Sequence, residues 1–154
     1  MPRMTLPRIQ PIAPGWRKEP FDHPDWLFDL KYDGFRAVCY VENGHCSFVS
    51  RRGNVFTRFD ALCEQMASAL CHEVMSELGV EDAILDGEVI TADETGRPQF
   101  YDLLRRTRSP SYVAFDLLWL NGADLRPLPL RERRERLKTI LHAESPTIAE
   151  AVSV

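Results

Sequence analysis

Phe28-Asp29-Leu30-Lys31-Tyr32-Asp33-Gly34-Phe35-Arg36 ends an apolar run on a lysine, follows it with Asp-Gly, and places an arginine two residues on. A lysine in such a run can be held partly desolvated, with its amine shifted toward a reactive pKa. The glycine lets backbone approach a ligand closely. Taken in isolation, K-x-D-G-x-R reads equally as a solvated lysine beside an Asp-Gly turn, so the flanking sequence has to decide.

Downstream, Phe35 to Val41 reads as a strand, and Asn43-Gly44 is a two-residue hairpin signal. His45 to Ser50 then pairs back, and Arg51-Arg52-Gly53-Asn54 turns. Upstream, Trp26 to Lys31 is short, apolar and aromatic, and reads as a strand. Met1 to Pro24 carries prolines at 2, 7, 11, 14, 20 and 24, so it is expected to be an extended arm on the domain surface. From Phe59 the apolar period changes to three- and four-residue steps through Leu62, Cys63, Met66, Leu70, Val74 and Leu78. That predicts a core-facing helix of about five turns, stopped at Gly79. Ala83 to Ala92 reads as a strand interrupted by Asp86-Gly87-Glu88, and Glu94-Thr95-Gly96 as a loop. Phe100 to Arg106 reads as one or two helical turns. Tyr112 to Leu120 is an apolar strand with one charge, Asp116, before an Asn121-Gly122 turn. Leu130 to Leu141 is an amphipathic helix with Leu130, Leu137, Ile140 and Leu141 facing in, and His142 to Val154 carries no clear pattern. Hairpins with interposed helices predict an α+β domain with mostly antiparallel sheets, not a doubly wound parallel sheet.

The chain has 154 residues, 44% hydrophobic and 27% charged, with a net charge of −4. That is a globular composition and not a basic nucleic-acid module. Three arginine groups stand out, at 51, 52 and 58, at 105, 106 and 108, and at 131, 133, 134 and 136. The third reads as a solvated face because Glu132 and Glu135 interleave it. No apolar run approaches the roughly 18 residues of a membrane span, and Met1 to Pro14 lacks a signal-peptide core. Cys39, Cys46, Cys63 and Cys71 form no C-x-x-C pair and read as reduced thiols of a cytosolic protein. Neither G-x-G-x-x-G nor G-x-x-x-x-G-K-[ST] occurs.

Three polar islands break apolar strands: Lys31 to Arg36, Asp86 to Glu88, and Asp116. A charge there is costly unless paired or used, so as a set they point to one site. Asp116 alone reads as a strand-end carboxylate facing water.

In these motifs the chain resembles the adenylation (nucleotidyltransferase) domain of ATP-dependent DNA ligases, nearest the bacterial end-joining repair type. The resemblance rests on Lys31-Tyr32-Asp33-Gly34-Phe35-Arg36, Ser50-Arg51-Arg52-Gly53, Leu85-Asp86-Gly87-Glu88-Val89 and Tyr112-Val113-Ala114-Phe115-Asp116-Leu117-Leu118-Trp119-Leu120-Asn121-Gly122. It covers about Pro11 to Leu141. It implies the N-terminal part of a covalent-nucleotidyltransferase, ATP-grasp-like ligase fold. The implied division is a proline-rich arm over 1–24, a partial adenylation domain over 25–141 and a short tail over 142–154. It further implies Lys31 as the nucleophile that forms lysyl-AMP from ATP. Arg36 and Arg51 would hold ribose and phosphate, and Phe115 would stack on adenine. Glu88 would contact ribose or a Mg²⁺ or Mn²⁺ ion through water. Asp29 would meet the adenine edge, one methylene shorter than the family's usual glutamate. The implied partners are nicked double-stranded DNA and end-joining repair proteins, in the bacterial cytoplasm and away from membranes. The family's later E-G and K-x-K elements do not follow Leu141, nor does its oligonucleotide-binding-fold domain. The expectation for the chain as given is therefore weak or no ligase activity. A non-catalytic remnant that at most binds nucleotide or a partner is the second reading. An RNA ligase or capping enzyme is the third, and F-D-L-L-x-L-N-G disfavours it.

Overall fold

Asn43 and Gly44, at φ 52° and 74°, adopt the left-handed backbone that a two-residue hairpin between right-twisted strands requires. They join β1 (Phe35–Glu42) to β2 (His45–Ser50) in antiparallel register from Ala37 opposite Ser50 to Glu42 opposite His45. The computed structural model describes residues 5–71, 79–95, 97–106, 108–141 and 147–153. After β2 come α1 (Asp60–Cys71), β3 (Asp82–Ile90), α2 (Phe100–Arg105), β4 (Ser111–Leu120), β5 (Ala123–Asp124), α3 (Leu130–Ile140) and β6 (Ile148–Glu150). One sheet runs β2-β1-β3-β4-β5, with β6 also paired to β4. All pairings are antiparallel except β4 with β6. The fold is α+β and mostly antiparallel, as the hairpin pattern predicts.

Alternation divides the sheet into two faces. Ala37, Cys39, Val41, Leu85, Val89, Tyr112, Ala114 and Leu117 face the main core. Leu62, Cys63, Met66 and Leu70 of α1 and Leu137 and Ile140 of α3 close it. Each fully buried Leu, Phe or Met there stabilises the fold by about 1.5–3 kcal/mol relative to exposure. On the other face, Val38, Tyr40, Val49, Ile84 and Leu118 are covered by Leu6 and Ile9 of the arm. The arm is held by polar contacts too. The Thr5 amide donates to Glu42, the Ile9 amide to the Tyr40 hydroxyl at 3.0 Å, and the Tyr40 hydroxyl to the Ile9 carbonyl at 3.2 Å.

Three features depart from the sequence reading. Trp26 to Lys31 is not a strand; it makes a single antiparallel bridge, Asp29 with Ser153. β3 runs unbroken through Asp86-Gly87-Glu88, and the interruption is confined to two register shifts against β4. The 142–154 segment, read as patternless, contributes β6. Parallel pairing needs a long crossover that leaves no local sequence signal. The expected helix over Phe59 to Leu78 is present as α1 to Cys71, and its remainder, with Val74 and Leu78, lies outside the described residues. All four cysteines are free. Among the described residues no helix is long and apolar enough to cross a membrane.

Candidate functional site

Arg36 on β1 and Glu88 on β3 are direct cross-strand partners, and Asp86 lies two residues before Glu88 on the same face. Arg36 grips Asp86 bidentately, Nε to Oδ1 at 2.8 Å and Nη2 to Oδ2 at 2.6 Å. Its Nη2 also donates to the Ile12 carbonyl of the arm at 3.1 Å. The guanidinium lies 5.0 Å from the centroid of the Phe115 ring, within cation–π range. Asp86 is 2% exposed. Burial pushes its carboxyl up against the downward pull of Arg36, and Asp116 opposite adds repulsion. The Asp86 hydrogen bonds in turn keep the Arg36 guanidinium charged. Glu88 is half-buried, and burial raises its carboxyl too. Arg36, the Gly34 amide and Lys31 pull it back.

Two glycines make this packing possible. A Cβ on Gly34 would stand 2.1 Å from the Val89 carbonyl oxygen. The loop after Lys31 is thus pressed onto β3, and the close approach expected of this glycine is to a strand of its own sheet. A Cβ on Gly87 would stand 2.3 Å from the Val113 carbonyl oxygen and 2.6 Å from the Tyr112 ring. Tyr112 fills that space from the core side, donating to the Ala37 carbonyl at 2.8 Å.

Arg36, Glu88 and Phe115 therefore come together, with Lys31 on the loop leading into β1. Lys31 is exposed rather than desolvated. Arg51 follows Ser50, the partner of Ala37, and opens the turn that leaves β2. It is exposed and lines a cleft of about 510 Å³ with Arg8, Arg52 and Tyr40. Asp29 turns instead to the opposite neighbour. Its carboxylate is paired with Arg134 of α3 and accepts from the Ser153 hydroxyl at 2.6 Å. Burial pushes that carboxyl up, but the Arg134 and Ser153 hydrogen bonds and the Arg134 charge outweigh it and hold it low.

Two sequence expectations are corrected here. Asp116 is not a strand-end carboxylate in water. It is buried and held by Arg133, with Nε to Oδ1 at 2.8 Å and Nη2 to Oδ2 at 3.0 Å. The arginines of α3 are not a uniformly solvated face either, because Arg134 is buried and Arg133 is half-buried, while Arg131 and Arg136 are exposed. The signal for Arg134 was its place on the stripe of Leu130, Leu137 and Leu141, at steps of four, three and four. Interleaved glutamates masked it.

Chemically, the group offers an exposed amine, a half-buried carboxylate, an arginine with spare donors and an aromatic face on one sheet surface. Of the five Arg36 N–H groups, Asp86 and Ile12 take those of Nε and Nη2, leaving Nη1 for a ligand oxygen among the described residues. No three metal-ligating side chains converge among the described residues. A divalent ion here would be carried by phosphate oxygens and water with Glu88 as the neighbouring carboxylate, a mode usual for Mg²⁺.

The family model described as the ATP dependent DNA ligase domain matches residues 17–154. The multifunctional non-homologous end joining protein LigD of Pseudomonas aeruginosa is 34% identical over 138 residues, 82% of this chain and 16% of that protein. The crystal structure of the ligase domain of Mycobacterium tuberculosis LigD is similar with a TM-score of 0.62 and 30% identity, over 82% of this chain and 39% of that one. A mycobacterial DNA ligase D solved with ATP and MES gives a TM-score of 0.60 and 27% identity, over 81% and 39%. The chain thus spans well under half the length of each of these relatives.

Proposed function

This chain belongs to the ATP-dependent DNA ligase domain family, and from that premise we propose that it carries the self-adenylation step that precedes nick sealing. Lys31 Nζ attacks the α-phosphorus of ATP. A nitrogen–phosphorus bond forms, the bond from that phosphorus to the bridging oxygen breaks, pyrophosphate leaves and the amine proton passes to solvent. The product is lysyl-AMP, whose AMP would next be passed to a DNA 5′-phosphate in repair, recombination and end joining. Phe115 offers its ring to adenine. Arg36 directs Nη1 at a ribose or phosphate oxygen, and Arg51 presents a second guanidinium from the end of β2. Glu88 accepts from a ribose hydroxyl. A bound Mg²⁺ or Mn²⁺ would draw charge from the phosphates and make the α-phosphorus more electrophilic.

The observation that carries this reading is the packing of the Lys31 loop onto the Arg36–Asp86–Glu88 group, through the Gly34 amide on Glu88 and Gly34 against Val89. The test is incubation of the chain with ATP labelled at the α-phosphate and Mg²⁺ or Mn²⁺, followed by denaturation. Label that survives, and is lost in Lys31→Ala, supports the reading. No label with either ion overturns it for this chain.

A further inference from the structure

Arg134 is one of four polar or charged side chains that are buried among the described residues, and its side chain is 7% exposed. Nothing in the proposed chemistry uses it. Its hydrogen bonds nevertheless reach three segments that approach the site separately. Nε donates to the Phe115 carbonyl at 3.0 Å. Nη1 donates to Asp29 Oδ1 at 2.7 Å and also to the Ser153 hydroxyl, and Nη2 donates to Asp29 Oδ2. Around this centre the Ser153 hydroxyl donates to Asp29, the Leu30 amide to the Val152 carbonyl at 3.1 Å, and the Val152 amide to the Tyr32 hydroxyl at 3.2 Å.

From this we infer that Arg134 is a positioning residue for adenylation, fixing the Lys31 segment against the Phe115 backbone and the 148–153 segment. The inference rests on the adenylation reading. A segment that makes one strand bridge has little of its own to hold it. Asp29 lies two residues before Lys31, and Leu30 and Tyr32 flank it, so all three tethers bracket the exposed amine. Phe115 is joined to the same guanidinium through its carbonyl. The planar fork is what lets one side chain serve Asp29, Ser153 and Phe115 together. A lysine at 134 keeps the charge but cannot span all three.

The test combines two measurements on the full chain and its variants Arg134→Lys, Asp29→Asn and Arg133→Ala. The first reads position without turnover, through hydrogen exchange of the Leu30 amide and the rate of Lys31 acylation by an amine-directed reagent, with Lys18 as internal reference. The second is the rate of lysyl-AMP formation as a function of ATP concentration. Arg134→Lys and Asp29→Asn are expected to speed Leu30 exchange several-fold and to change Lys31 acylation relative to Lys18. Misplacement on the ångström scale predicts about a 10–100-fold fall in kcat for adenylation, with a smaller change in KM. Arg133→Ala breaks a comparable pair on the same helix. It is expected to lower thermal stability while leaving Lys31 acylation as in the parent chain. If Arg134→Lys loses stability as Arg133→Ala does but keeps parental Leu30 exchange and Lys31 acylation, the positioning role is wrong, whatever happens to adenylation. If those two readouts shift and the parent chain forms no lysyl-AMP, positioning of the segment stands and the adenylation reading alone fails.

Discussion

The two faces of the sheet are made by alternate residues of the same strands, yet they are built on opposite principles. On the core side of β1, β3 and β4 the inward positions from Ala37 to Leu117 are apolar apart from the Tyr112 hydroxyl, which is spent on the Ala37 carbonyl. On the other side the arm covers an apolar half, and the half nearest Lys31 carries Arg36, Asp86, Glu88 and Asp116. One face accumulates burial. The other keeps its two buried aspartates in place by pairing them with arginines, Arg36 with Asp86 and Arg133 with Asp116. A sheet can thus hold a charged surface without weakening the layer beneath it, because the two are in different residues of one register.

If this division is real, the two faces should respond to substitution through different measurements. The largest separation is expected between Phe48→Ala and Lys31→Ala. Phe48→Ala should cost about 3–5 kcal/mol in urea unfolding, as for other buried aromatics cut to alanine. Lys31→Ala should abolish covalent label while changing stability by no more than about 0.5 kcal/mol, as is usual for an exposed side chain. A Lys31→Ala chain that unfolds several kcal/mol early would dissolve the comparison. Asp86→Ala sharpens it from the other direction. Removing one partner of a buried pair leaves Arg36 uncompensated, so about 3–5 kcal/mol should be lost together with adenylation. An Asp86→Ala chain of parental stability would show that Arg36 finds water instead. Tyr112→Phe is a milder probe of the core face. It should cost about 1 kcal/mol for the lost hydrogen bond and leave the KM for ATP unchanged.

The smallest effect is one of pH. Burial raises the folded-state value of Glu88, so its contribution to stability is present below its unfolded value and is lost as pH rises through the folded one. Glu88→Gln should therefore be the more stable protein at neutral pH, and the gap should close on acidification toward about pH 4.3, the ordinary glutamate value. The same variant should adenylate poorly. Chemical denaturation of both chains between pH 4 and 7 would expose the opposite slope, if there is one.

How far the sequence could be read followed the range of the interactions involved. β1, β2 and β4 were visible because alternation and Asn-Gly turns are local. Arg36, Glu88 and Phe115 were placed together by motif, and β-pairing brings them to one face. Lys31 was expected to be desolvated and is exposed, because its segment makes one bridge and not a strand. Asp29 was expected to face a ligand and faces Arg134, a partner 105 residues away. β6 stayed hidden for the same reason, since its partner β4 is reached only after β5 and α3. Contacts of that span leave no periodicity behind them. Only the stripe position of Arg134 hinted that a charge on α3 turned inward.

The arm crosses its face against the direction of β1, with Thr5 at Glu42, Ile9 at Tyr40 and Ile12 at Arg36. The six steps from Glu42 to Arg36 span about 20 Å of strand. An affinity tag or fused partner joined ahead of Thr5 therefore departs at the far end of the sheet from Lys31, where a bulky attachment stays clear of the proposed adenylation site. Trimming the chain back past Ile12 has the opposite outcome, stripping a backbone acceptor from Arg36, so expression vectors for this protein are best extended at that terminus and never shortened.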